Sequence, residues 1–250
     1  MSASRQTGRR ITRRGFLAST GLAVLFGASA ARGAVLEGVQ PWVPFADSPP
    51  ETLGPGGWYF FTPEEARVVE AMVERLIPAD DLSVSGKDAG CATFIDRQLA
   101  GSYGTSERLY MSPPFLGGTI SQGDQSEFTP QASYRRGIAA LERYCRQAAG
   151  TSFAQWTPQE RDSLLQGIES GKIELAGFDG KLFFETVLQN TMEGFFADPI
   201  YGGNRDMVSW KMIGFPGTRY DYRDYIERHN ETLDLPPIHI GDRPPPARRS

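Results

Sequence analysis

The side chains able to do chemistry are few in this sequence. It has two histidines, His229 and His239, both in an irregular C-terminal stretch. Histidine is the commonest acid–base group, and zinc centres often draw on several of them. A His-based triad and a multi-histidine metal site are therefore both disfavoured. No Glu-x-x-His pair is present, so a di-iron bundle centre is excluded. No Gly-x-Gly-x-x-Gly follows a strand pattern, and no Cys-x-x-Cys-His occurs, so a dinucleotide turn and covalent haem attachment are absent too. Two cysteines alone cannot hold an iron–sulfur cluster. Glu185, Glu193, Asp198 and Asp206 invite a carboxylate pair of the glycosidase kind. Capping, turn and salt-bridge roles explain them more simply, because no second feature supports sugar cleavage. The expectation is a chain with no catalytic residue, no cofactor site and no metal site.

Cys91 and Cys145 both fall on expected helices. In an oxidising compartment they could close one disulfide between the second helix and the third, bond a partner subunit, or stay as two buried thiols; spacing does not choose among these.

Chemistry of a different kind is written at the N-terminus. Thr12-Arg13-Arg14-Gly15-Phe16-Leu17 places two arginines before a small residue and two apolar ones, the pattern of a twin-arginine export signal. The apolar run after it, 17–31, would reach roughly 22 Å as a helix, short of the ~30 Å hydrocarbon core of a membrane. Ala28-Ser29-Ala30 is a small-x-small cleavage site, with Ala34 as a later alternative. That pathway passes folded proteins, often with a cofactor or partner aboard. Since this chain offers no cofactor site, travel with a partner is the expectation. Residues 1–30 carry five arginines and no acid, and removing them leaves 21 basic against 30 acidic side chains, a net charge of about −9. So acidic a remainder is a poor nucleic-acid binder.

The elements that carry these residues read as helices. Thr62-Pro63-Glu64-Glu65 and Thr157-Pro158-Gln159-Glu160 are capping boxes with proline at the first helical position. Ala66, Val69, Val73, Leu76 and Ile77 follow the first at helical spacing, and Pro78 ends the run. Further helices are expected over about 89–100, 131–149, from Thr157 through Ile168, and 181–195. Residues 101–130 read as a long loop with Pro113-Pro114 and Gly117-Gly118, and long loops tend to be functional. The expected fold class is mainly α: an irregular bundle of about five to seven helices with long Gly/Pro-rich loops and an extended C-terminal tail. Its segments are a signal at 1–30, an extended lead-in at 31–61, a helical domain at 62–226 and a proline-rich tail at 227–250. The stretch from Phe183 to Tyr225 is dense in aromatics. Clustered aromatics build cores, but in Gly/Pro-rich segments some should anchor a protein interface.

Several of these stretches together resemble the gluconate 2-dehydrogenase subunit 3 family. They are Phe183-Phe184-Glu185, the run from Gln189 to Pro199, Tyr201-Gly202-Gly203-Asn204-Arg205-Asp206, Trp210-Lys211 and Gly214-Phe215-Pro216-Gly217. Arg75 to Asp81 and Phe94 to Gly101 agree. The resemblance implies the small (gamma) subunit of a membrane-associated dehydrogenase complex, without a cofactor of its own. FAD would sit in a large subunit and haem c in a multihaem cytochrome subunit. The small subunit would help the flavoprotein mature, chaperone-like, and carry it through the twin-arginine translocase to the periplasmic side of the cytoplasmic membrane. Related small subunits serve gluconate, 2-ketogluconate, fructose, sorbitol and glucose enzymes; the signature is most similar to the gluconate type. A free-standing periplasmic binding or scaffold protein is the other reading. Phe195, Phe196, Trp210 and the Tyr201–Asp206 motif are expected to form either a partner interface or a structural corner: two glycines for a tight turn, then Asn204 for left-handed backbone.

Overall fold

The computed structural model describes residues 56–122, 126–219 and 221–242. The export signal (Arg13, Arg14, Phe16, Leu17) and most of the lead-in lie outside the described residues, as does the chain beyond 242. The described chain is mainly helical. Its six α-helices are α1 (Pro63–Leu76), α2 (Cys91–Ala100), α3 (Pro130–Ala149), α4 (Pro158–Glu169), α5 (Gly180–Phe196) and α6 (Val208–Ile213). There is no sheet among the described residues; a single parallel bridge joins Gly217 to Ile238.

Helix starts use one recurring device. The first N–H groups of a helix have no partner inside it, and a Thr or Asp side chain supplies one. Thr62 and Thr157 form complete capping boxes with Glu65 and Glu160, and Thr129 caps α3, each with proline next in sequence. Asp179 accepts from Leu182 N–H at 3.0 Å to start α5. The sequence placed these starts within two residues. Helix α2 begins at Cys91 rather than Ala89, because Gly90 stands at φ 86°, outside helical geometry.

Helix α5 is the axle of the bundle and packs against all five other helices. It buries Phe183, Phe184, Val187, Asn190, Thr191 and Phe195, leaving an exposed stripe at Lys181, Glu185, Gln189 and Glu193. The Phe183 ring lies directly on α3 at Gly137, where an added Cβ would come within 2.2 Å of it. Aromatic contacts, edge-on except for the tilted Phe61–Tyr134 pair, run from Trp58 through Phe61, Tyr134 and Phe183 to Phe178, with centroids 5.9 to 6.5 Å apart. One polar link crosses this core: Asn190 Nδ2 donates to Tyr134 Oη at 3.0 Å and lies 3.2 Å from Tyr103 Oη. Tyr134 is fully buried, which pushes its phenol well above its usual range.

The end of the lead-in is part of the fold. Asp96, fully buried on α2, accepts backbone N–H groups from Tyr59, Phe60 and Phe61 at 2.8, 2.9 and 2.9 Å and pairs with Arg97. Arg97 lies over the Tyr59 ring and donates to the carbonyls of Gly56 and Gly57. Arg135 on α3 covers Phe60, donates to its carbonyl at 2.6 Å and pairs with Glu65. A buried carboxylate tolerates its desolvation only with such charge-assisted donors. The far end is also tied down: the segment 236–242, expected as part of a proline-rich tail, folds back. Thr218 N–H donates to Ile238 O at 2.9 Å, and Arg219 to Pro236 O at 2.7 Å.

Helices α1 and α4 are pinned by a two-pronged pair, Arg75 to Asp162 at 2.7 and 2.9 Å, and by Arg161 to Glu74 at 3.0 Å. The hydrogen bonds from Arg75 hold the Asp162 carboxyl below the usual aspartate range. A carboxyl lowered in the fold stabilises it above the ordinary aspartate value, and that contribution is lost as pH falls through the folded value. Asp162→Asn is expected to cost about 0.5–1 kcal/mol at pH 7, as for other partly exposed ion pairs. In denaturant titrations the gap to the unaltered protein should close in acid; a gap independent of pH would show the pair contributes nothing through charge.

Candidate subunit interface and the corner beneath it

The corner forms where α5 stops. Asp198 accepts from Ile200 N–H at 3.0 Å and so starts the turn at Pro199. Its second oxygen accepts from Ile240 N–H at 2.8 Å, which docks the returning tail. Gly202 follows at φ 96°. Gly203 then runs against α5 so closely that a Cβ would lie 2.1 Å from the carbonyl oxygen of Gly194. Only glycine fits there.

Asn204 closes the corner from inside. It is fully buried with left-handed backbone, φ 44° and ψ 44°. Its Nδ2 donates to Ala197 O at 2.9 Å, while Oδ1 accepts from Ser209 N–H at 3.0 Å and from Ser209 Oγ at 2.8 Å. One side chain thus joins the end of α5 to the start of α6. Trp210 adds a second tie, donating from Nε1 to Phe196 O at 3.0 Å, with its ring edge-on to Phe215. Arg205 ties the corner to the turn before α2: its N–H donates to Ala89 O at 2.9 Å and its guanidinium to Asp88 O at 3.4 Å. Asp206 and Met207 also hold positive φ, 58° and 55°. Left-handed backbone costs about 1–2 kcal/mol per non-glycine residue, so this corner persists only because its hydrogen bonds over-determine it.

The predicted motif therefore divides. Phe195, Gly203, Asn204 and Trp210 are buried, and Phe196 is half-buried against the core. They build the corner. Tyr201, Arg205 and Asp206 face solvent, and so do Met212, Ile213 and Phe215 at the end of α6. Helix α6 lies beyond 181–195, the last helix expected from the sequence.

The other candidates are dispersed. Glu185 faces Lys181 on its own helix at 3.8 Å, and Glu193 accepts from Gln189 at 2.8 Å. Asp198 is occupied by the turn and the tail. His239 Nδ1 accepts from Gly241 N–H at 3.0 Å, and its Nε2 lies 3.1 Å from Asp242 Oδ1, a link within the tail. Among the described residues no three His, Cys, Asp or Glu side chains are grouped to hold a metal ion. No described helix is long and apolar enough to cross a membrane.

Cys91 and Cys145 are not joined. Both thiols are free and fully buried, on α2 and α3, so of the three fates left open by the sequence the structure has the two enclosed thiols. Burial pushes both up to about 12. Sequence reasoning also passed over Asp96 and Asn190. The signal was there for Asp96: an acid set into the buried run Phe94, Ile95, Leu99 must find donors or not fold.

Among the described residues, fold and corner define a mainly helical protein whose corner is tied by side chains bonded to backbone. Residues 63–217 match the family model described as gluconate 2-dehydrogenase subunit 3, and the chain belongs to that family. No match is found among curated proteins or among solved structures.

Asn204→Ala would leave two buried donors and one carbonyl unpaired, at about 1–3 kcal/mol for each orphaned group, and place alanine in left-handed backbone. A loss of at least 3 kcal/mol in denaturant unfolding is expected, with Asn204→Gly about 1 kcal/mol less affected. Wild-type stability in the alanine variant would refute the corner. For the cysteines, native protein at pH 8 should resist iodoacetamide, while guanidine without reductant should expose two reactive thiols by mass; labelling only after reduction would establish a disulfide.

Proposed function

We propose that this chain is the non-catalytic small subunit of an FAD-dependent, cytochrome-linked gluconate 2-dehydrogenase complex. In this reading it supports folding and assembly of the flavoprotein subunit and carries it through the twin-arginine translocase on its own signal. The flavoprotein holds FAD and oxidises the substrate, and a multihaem cytochrome c passes the electrons on. The assembled complex lies on the periplasmic side of the cytoplasmic membrane.

The observation that carries the reading is the family match over residues 63–217, since this family supplies one subunit of a multi-subunit dehydrogenase. Two features of the chain support it. Arg13-Arg14-Gly15-Phe16-Leu17 is the address of a folded cargo, and such addresses are read by a receptor. The aromatic-rich C-terminal half is spent on a corner, and the apolar side chains left outside suit contact with another protein.

Co-purification tests it. The chain is tagged at its C-terminus and expressed with the genes that flank its own, and the periplasmic and membrane fractions are isolated. The expected product is a complex with flavin and haem absorbance and two further subunits. Changing Arg13 and Arg14 to Lys should strand the flavoprotein in the cytoplasm. A colourless protein that exports and folds alone would overturn the reading in favour of a free-standing binding protein.

A further inference from the structure

The segment between α2 and α3 has firm roots and a bare middle. At its start Gly104 is pressed against α2, where a Cβ would lie 1.9 Å from Leu99 O. Gln131, in the first turn of α3, donates from its backbone to Gly104 O at 3.1 Å and from its side chain to Leu99 O at 2.8 Å. Tyr103 reaches Asn190 on the axle helix. Ser106 is buried. These contacts fix where the segment leaves the bundle.

Beyond them, residues 110–118 make no hydrogen bond to any described residue, whether from backbone or side chain. They have no helical or strand structure and, Met111 apart, are exposed, Phe115 at 38%. What they expose is apolar: Leu109 is 68% accessible, Tyr110 88% and Leu116 72%, with Phe115 beside them. No charged residue occurs between 109 and 123, although the exported chain is strongly acidic. Pro113 and Pro114 restrict the backbone, which lowers the entropy lost when such a segment docks.

A free chain gains nothing from holding large apolar side chains and unpaired main-chain groups in water. Each is a binding element, the former for pockets and the latter for the edge of a sheet or an exposed loop. The chemistry selects among occupants. Peripheral membrane segments pair an apolar face with lysines and arginines. This one has no helix and no cation, in a chain that anionic lipid would repel. Nucleic acid is excluded for the same reason. A second copy would bring another acidic chain and another arm interrupted by two prolines.

We infer that residues 109–118 are an arm that lies across a neutral, apolar groove of a folded protein partner, with Tyr110 and Phe115-Leu116 as its anchors. Resting on the function proposed above, that partner is the flavoprotein subunit, the cargo that this chain must hold during transport. The corner and the bundle then act as the base from which the arm reaches.

The test uses the full chain co-expressed with its flanking genes, alongside a variant with Leu109, Tyr110, Phe115 and Leu116 all changed to Ser. The variant should fold with unchanged melting temperature, because these side chains touch no core. Its affinity for the flavoprotein should fall by about tenfold or more. In the wild-type complex, amides of 110–118 should gain hydrogen-exchange protection on binding. Undiminished affinity with no protection would overturn the arm while leaving the subunit assignment intact. Failure of the wild-type chain to bind any flavoprotein would overturn both. Sedimentation of the wild-type chain with anionic vesicles, lost in the variant, would reassign the arm to lipid.

Discussion

A helix that must touch five neighbours decides where each of them goes. Helix α5 is that constraint here, and the other elements are arranged around its requirements. Its ring side chains need space, and α3 supplies it at Gly137. Near its end, Gly194 lets Phe94 of α2 close in on one side while the backbone of Gly203 crosses on another. Its one buried amide, Asn190, needs partners and finds two tyrosines. Because polar groups pair only in certain directions, this link fixes the rotation of α5 about its own axis. Apolar burial alone would leave that rotation loosely set.

How much of this was legible depended on whether a signal was local. Helix starts were, since a Thr-Pro-x-Glu run needs no distant residue to act. The mainly α class followed from helical spacing with no strand pattern. What escaped was relational. Asp96 looked like any acid in a helical run, and its three donors lie over thirty residues upstream. The return of residues 236–242 was hidden because prolines read as a tail when nothing marks the carboxylate that receives them. Helix α6 is six residues long, starts after three left-handed residues and is held by Asn204. No propensity argument would nominate it. The motif residues were found, but sequence could not divide the buried from the exposed. That division separates architecture from contact.

The same division runs through the whole molecule. Inside, Asp96 is directed at the backbone of the lead-in and Asn204 at both sides of a turn, while Arg205 at the surface donates to the loop before α2. Outside, Leu109, Tyr110 and Leu116 of the 109–118 segment and Ile213 at the end of α6 stay more than half exposed. The family to which the chain belongs provides one subunit among several.

Two buried aspartates bear on where the folding unit begins and ends. The family span opens at residue 63 and closes at 217. Asp96 and Asp198 lie within it, yet Asp96 takes three of its donors from residues 59–61 and Asp198 takes one from residue 240. Each is an anionic socket whose plug lies outside the span by which the family is recognised. The plugs act through main-chain N–H groups, while the rings of residues 59–61 add packing of their own against Arg97, Arg135 and the core. The autonomous unit is therefore closer to 56–242 than to 63–217. A fragment trimmed to the recognisable core would keep Arg97 beside Asp96 and the Ile200 N–H on Asp198 but lose the other donors to both carboxylates, so its behaviour would say little about the intact chain.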